Sequence, residues 1–352
     1  MWRWTTYAPI AATAVLVATW SSKPGTVVLI GVGAFLISAV LAAVHHAEVI
    51  AHRVGEPFGS LVLAVAVTVI EVGLIVTLMV SSKDDTSTLA RDTVFAAVMI
   101  TANGIVGVSL LVGALRRGMA EFNAEGTATA FATVLTLCVL TLVLPSFTTS
   151  APGGEFTGSQ LAFAAVASLA LYGLFVWIQA FRHRDYFLPE RSDEEHAEPP
   201  GDREAIISAV MLMLGLVAVV GLAKVESPAI EDLVSSIGAP QSAVGVVIAL
   251  LVLAPETLAA YHNARRDHVQ TSFNLAMGSA MASIGLTIPA IAVASIWLEG
   301  PLALGLEPLQ LVLLAITAVV GALTVLPGRA TLQEGGVHLV LFAAFVYFAL
   351  VP

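Results

Sequence analysis

Charge is what this sequence has least of. Only 11% of its 352 residues are Asp, Glu, Lys or Arg, against 58% that are hydrophobic, and between Arg53 and Lys83 there is no basic residue at all. A soluble chain of this length could bury a large core, but it would not need apolar runs of about 20 residues from end to end, each long enough to cross a ~30 Å hydrocarbon core. A soluble globular class is thereby excluded. Cysteine is almost missing too: Cys138 stands alone, so no internal disulfide can form and its thiol is most simply a small packing group. There is no G-x4-G-K-[ST] phosphate loop and no H-E-x-x-H, so nucleotide-driven work and zincin-type hydrolysis lack their usual residues. The N-terminal "MWRWTTYAPIAATAVLVATWSS" has a basic start and an apolar stretch without a small-x-small cleavage site before "SSKPG", and reads as a retained first helix.

What is present is a series of eleven apolar spans, at about 5–20, 26–52, 59–81, 89–115, 128–145, 159–181, 205–224, 240–263, 269–297, 308–326 and 335–351. The chain is therefore expected to be all-α, a polytopic membrane protein with about eleven transmembrane helices. Placing the N-terminus inside puts eleven of the fifteen lysines and arginines in cytoplasmic loops, which predicts a cytoplasmic N-terminus, a C-terminus on the opposite side and residence in the cell's inner membrane. The one long hydrophilic stretch, "FRHRDYFLPERSDEEHAEPPGDRE" (181–204), is too rich in Glu, Asp and Pro to fold alone. It reads as a solvated linker, with a regulatory cation sensor as the alternative. The net charge of −10 is partly this loop and carries no argument about partners; nothing in the chain suggests nucleic acid.

The linker separates two related halves. Set without a gap, "EVIAHRVGEPFGSLVLAVAV" (48–67) and "EDLVSSIGAPQSAVGVVIAL" (231–250) pair Glu48 with Glu231, Gly55 with Gly238 and Pro57 with Pro240. A second glutamate follows each: Glu71 lies 23 residues beyond Glu48, and Glu256 lies 25 beyond Glu231. The next span in each half is small and polar, "MITANGIVG" (99–107) and "MGSAMASIG" (277–285). The chain thus divides into an extra N-terminal helix (1–25), a first five-helix repeat (26–181), the acidic cytoplasmic linker (182–204) and a second repeat (205–352). Five spans being odd, the second repeat runs through the membrane inverted, an arrangement secondary transporters use to build a binding site.

Depth singles out two acids. Counting from the helix starts, Glu71 lies ~18 Å and Glu256 ~21 Å into the bilayer from opposite faces, both near the midplane. An ion there costs several kcal/mol even on lenient insertion scales, so an intramembrane acid without a basic neighbour is a functional residue by default. Two carboxylates suit a hard divalent cation, and calcium, which accepts six to eight oxygens in irregular geometry, fits better than magnesium. Neutral oxygens are on offer. Pro255 has no N–H for the carbonyl of Leu251; Thr68 shares a helix face with Glu71; and Asn103, Ser279 and Ser283 lie in the flanking spans. At the cytoplasmic end of the second span His45, Glu48 and His52 share one face and offer a proton or ion entrance, with Glu231 as the equivalent on the outer side.

The runs "LAVAVTVIEVGLIV", "ARDTVFAAVMITANGIVG", "LAPETLAAYHNARR" and "NLAMGSAMASIGLTIP" resemble the two alpha-repeats of the cation/calcium exchanger superfamily, most closely its bacterial calcium/proton antiporter branch. The resemblance implies a ten-helix core plus one extra N-terminal helix, a midplane site built on Glu71 and Glu256, and exchange of a cation for protons. Vacuolar relatives carry Gly-Asn-x-x-Glu in both repeats, where this chain has Thr68 and Leu253. Some members of the branch are associated with sodium or potassium extrusion.

The expected function is therefore secondary antiport, calcium for protons by alternating access, with sodium or potassium as the alternative cargo. Calcium or protons would neutralise the carboxylates and let the loaded site change sides. The chain is not expected to be an enzyme or to need a cofactor; its partners are the transported ions and the lipid bilayer. An integral-membrane metal hydrolase using His45, His46 and His52 is the competing class, although its histidines cluster near the membrane surface while the repeated acids are central. An ungated channel would need no neutralisation cycle.

Overall fold

The computed structural model describes residues 4–22, 24–55, 58–82, 85–182, 200–298 and 300–351; most of the acidic linker, expected to be a solvated spacer or a cation sensor, lies outside these. The helices are α1 (Trp4–Thr19), α2 (Thr26–Val54), α3 (Phe58–Ser81), α4 (Leu89–Met99), α5 (Val106–Arg117), α6 (Ala124–Cys138), α7 (Gly158–Trp177), α8 (Asp202–Ser236), α9 (Ser242–Arg265), α10 (Val269–Gly285), α11 (Thr287–Ala294), α12 (Pro308–Val325) and α13 (Leu332–Leu350). A π turn, Ile100–Ile105, joins α4 to α5 in one continuous span, and further π turns extend α6 (Val139–Val143) and α7 (Ile178–Arg182). Two short strands, β1 (Ala120–Glu121) and β2 (Arg329–Ala330), pair antiparallel.

Ten helical spans among the described residues are long and apolar enough to cross a membrane. The eleventh expected span is α1, whose 16 residues extend only ~24 Å. Two boundaries differ from expectation. The seventh span does not end near Lys224 but runs as α8 through Pro228 to Ser236, because the packed face of Val219 and Ala223 continues at three- and four-residue spacing through Ser227, Ile230 and Val234. The ninth span is broken at Leu286 into α10 and α11.

The chain forms two compact units, Met1–Thr86 with Asp193–Val244, and Ser87–Ser192 with Gly245–Pro352. The first unit contains α1, α2, α3 and α8, so it joins the first helices of both repeats. These run antiparallel: Arg53 of α2 pairs with Asp202 of α8, His46 Nδ1 meets Ser208 Oγ at 3.1 Å, Ala43 lies against Gly215, and Gly33 lies against Glu226. The last two contacts correspond to one another when the repeats are exchanged, within a residue. A Cβ on Gly215 would sit 3.1 Å from that of Ala43, so glycine here lets two long helices approach closely, as membrane helices do where packing rather than hydrophobicity holds them.

The second unit shows the same exchange. Aligning the small polar segments puts Asp92 opposite Gln270. Asp92 Oδ1 accepts from Gln310 Nε2 in the first turn of α12 at 3.1 Å, and Gln270 Oε1 accepts the backbone N–H of Asn123, which caps α6, at 2.7 Å. Charge separates the two places. Arg91, also buried, ties Asp92 to Glu307 and to the Gly305 carbonyl, whereas Gln270 Nε2 donates to the uncharged amide oxygen of Asn274. Capping boxes Thr157–Gln160, Glu307–Gln310 and Thr331–Glu334 start α7, α12 and α13, satisfying backbone donors that a helix end leaves unpaired.

Candidate functional site

In the first unit, Glu71 is the fourteenth residue of the 24-residue helix α3, about 20 Å from its start, and is only 2% exposed. Two residues on, Gly73 faces Val220 near the middle of α8; a Cβ at Gly73 would lie 2.6 Å from the valine Cγ2, so the glycine seats the Glu71 turn against α8. Thr68 is one turn earlier on the same face, buried, and its Oγ1 has no hydrogen-bond partner. A buried hydroxyl with spare lone pairs beside a carboxylate is a ready neutral ligand.

On α8 the face that carries Val220 continues through Ser227 to Glu231. Ser227 is fully buried and donates to Glu231 Oε1 at 3.2 Å, so the expected outer pathway acid is half-buried and held within the helix rather than free in a loop. Sequence reading passed over Glu226, a further acid inside this span. Its carboxyl lies 3.6 Å from the position of a Cβ on Gly33, and its buried Oε2 has no hydrogen-bond partner.

At the other end of α2, His45 Nδ1 and Glu48 Oε2 are 3.9 Å apart, both half-buried, and His52 is exposed. His46 points elsewhere. Its Nε2 meets the Thr5 carbonyl at 3.0 Å while Nδ1 meets Ser208; the carbonyl only accepts, so Nε2 carries a hydrogen. It pins α1 and α8 to α2. The three histidines that a hydrolase would gather therefore do not converge.

In the second unit, Glu256 is the fifteenth residue of α9, about 21 Å from its start, buried at 8% exposure and preceded by Pro255, which the helix accommodates without ending. Leu253, in the place corresponding to Thr68, is a buried apolar side chain. Gly245 of α9 lies against Asp92 and Thr93, its missing Cβ 2.8 Å from the Thr93 nitrogen. On α10 Ser283 is buried and Ser279 half-buried, and this helix packs on the π turn that contains Asn103. Asn103, fully buried, turns its amide toward α12 and α13, to Thr317 and His338. His338 carries no local sequence pattern that marks it; its partner Asn103 is 235 residues away. Among the described residues no three His, Cys, Asp or Glu side chains converge, so a cation held within either unit would need neutral oxygens beside its acid, a ligand set hard cations accept.

The chain matches the sodium/calcium exchanger protein family over residues 24–181 and 207–351. It is 42% identical over 330 residues to the protein y4hA of Sinorhizobium fredii, covering 93% of this chain and 89% of that one. It is 32% identical over 347 residues to the sodium-potassium/proton antiporter ChaA of Escherichia coli, covering 96% and 93%. Its fold resembles the crystal structure of the Ca2+/H+ antiporter protein YfkE, with a TM-score of 0.74 at 14% identity over 99% of this chain and all of that one.

Proposed function

Because this chain belongs to the sodium/calcium exchanger protein family, and is thus a multi-pass membrane protein, we propose that it is a secondary antiporter exchanging a cation for protons by alternating access, with Glu71 and Glu256 as the carboxylates that hold either in turn. The observation that carries this reading is the burial of both acids past the midpoints of 24-residue apolar helices, with no basic side chain in α3 and none in α9 before its last turn. An ionised carboxylate at such a depth costs ~2.5–3.5 kcal/mol on insertion scales. A cation or protons remove that cost, so the loaded states change sides and the empty one does not. Exchange is then obligatory, and neither nucleotide nor cofactor enters.

Thr68, Asn103, Ser279 and Ser283 supply neutral oxygens, and His45, Glu48 and Glu231 line the approaches. The N-terminus is cytoplasmic, the C-terminus on the opposite side of the inner membrane, and 182–204 is a spacer between repeats 26–181 and 205–352. Calcium is the cation that suits two acids and several neutral oxygens, and the likeness to the fold of YfkE supports it. Sodium or potassium is a second reading, favoured by the 32% identity to ChaA and by the apolar Leu253 where another oxygen could stand. Proteoliposomes with an acid interior test both: calcium uptake without ATP, with matching proton release and collapse on adding protonophore, is the expected result. The same behaviour with sodium or potassium instead assigns the second cargo. Cation flux indifferent to the pH gradient contradicts antiport.

A further inference from the structure

His338, the seventh residue of α13, is a buried imidazole that the exchange reaction described above does not use. It sits in a polar chain through the interior of the second unit. Asn103 Nδ2 donates to Thr317 Oγ1 at 2.9 Å; Asn103 Oδ1 lies 3.1 Å from His338 Nδ1; and His338 Nε2 lies 3.1 Å from Thr324 Oγ1. An amide oxygen only accepts, so Nδ1 carries a hydrogen, and in the neutral ring Nε2 takes the hydroxyl hydrogen of Thr324. All these side chains are at most 1% exposed.

The ring's partner on the fourth span, Asn103, lies in the π turn Ile100–Ile105. A π turn interrupts the regular hydrogen-bond ladder and is frequent at functional sites. Here it needs an outside clamp, and α13 is brought in for it: a Cβ on Gly107 would lie 3.1 Å from His338 Cβ. Interhelical hydrogen bonds in membranes are individually weak, and a hydroxyl or amide would supply one at less risk than an ionisable ring. Packing alone does not call for histidine.

We propose that His338 is a positioning residue for transport: neutral, with its hydrogen on Nδ1, it holds the Asn103 amide and the turn 100–105 in the arrangement that serves the cation. This rests on the reading above, in which the turn of Asn103 borders the cation's path. The test compares parent, His338→Leu, His338→Asn, Thr324→Val and Asn103→Ala proteins in proteoliposomes, reading the cation concentration for half-maximal exchange and the maximal rate separately. The 15N spectrum of the parent's labelled histidines, with His338 assigned by its absence in the leucine variant, reports the ring's hydrogen.

Expected are hydrogen on Nδ1 and a half-saturating concentration raised about fivefold in His338→Leu, or ~1 kcal/mol at 1.4 kcal/mol per tenfold, with the maximal rate less changed. His338→Asn, whose side-chain N–H replaces Nδ1–H, stays within about twofold of the parent, and Thr324→Val falls between. Parental half-saturation in His338→Leu, hydrogen on Nε2, or an asparagine variant as impaired as the leucine one overturns the inference. Where His338→Leu does not insert, Thr324→Val decides, and a parental value overturns it. Asn103→Ala separates the two levels: if it leaves half-saturation unchanged, the turn is not on the path and both fall; if it raises half-saturation while His338→Leu does not, only the role of His338 falls.

Discussion

α3 and α9 are equal in length, 24 residues each, and each carries one acid just past its midpoint, yet they surround that acid differently. In α3 the extra oxygen is a side chain, the unpartnered hydroxyl of Thr68. In α9 the corresponding position is the apolar Leu253, and Pro255 instead withholds an N–H from the carbonyl of Leu251. The repeats keep the depth of the carboxylate and exchange the source of its neutral company. In the proposed exchange, depth is what coupling requires, since it makes an unneutralised acid costly, and the neutral oxygens would set which cation is taken.

The largest effect tests what the two helices share. Glu71→Gln and Glu256→Gln should each abolish exchange in proteoliposomes while the protein inserts and folds, because the amide matches a protonated acid in size and polarity. Aspartate at either place withdraws the oxygens by ~1.5 Å, large against a calcium–oxygen distance of 2.3–2.6 Å, and should lose nearly as much. One Gln variant with parental exchange would show that the helices are not equivalent.

The next effect tests what α9 does alone. Pro255→Ala restores a helix hydrogen bond and should raise thermal stability, since a proline inside a helix costs up to ~3 kcal/mol. It should also raise the half-saturating cation concentration roughly tenfold, the equivalent of ~1.4 kcal/mol. Stability and affinity moving together would refute the carbonyl reading. Thr68→Val is the α3 counterpart and smaller: because Oγ1 bonds nothing in the fold, stability should hold, while half-saturation rises about threefold, the scale of one interhelical hydrogen bond. Smallest of all, deletion of 191–199 should leave flux near the parent's, measured as maximal rate in correctly inserted protein. A changed calcium threshold would turn the linker into a sensor.

Much of this was legible in the sequence because membranes impose strict rules. Span number and repeat structure follow from apolar length and from the recurring Glu-x6-Gly-x-Pro. The depth of Glu71 and Glu256 follows from counting residues along a helix. What lay beyond reading came from long-range packing. That α2 and α8 of different repeats share a unit with α3 depends on Gly33, Gly73 and Gly215 meeting partners far along the chain. The chain from Thr317 through Asn103 to His338 spans more than 200 residues. The seventh span, expected over 205–224, continues as α8 through Pro228 to Ser236, because its packed face extends to Ser227 and Val234.

The central claim, that cation and protons occupy the same carboxylates, is tested most directly by proton release on binding. Purified protein titrated with the transported cation in weak buffer should release protons into solution, with affinity falling as pH falls because protons compete for Glu71 and Glu256. Both Gln variants should lose the release. Cation binding without proton release, or full release from either Gln variant, would contradict the account.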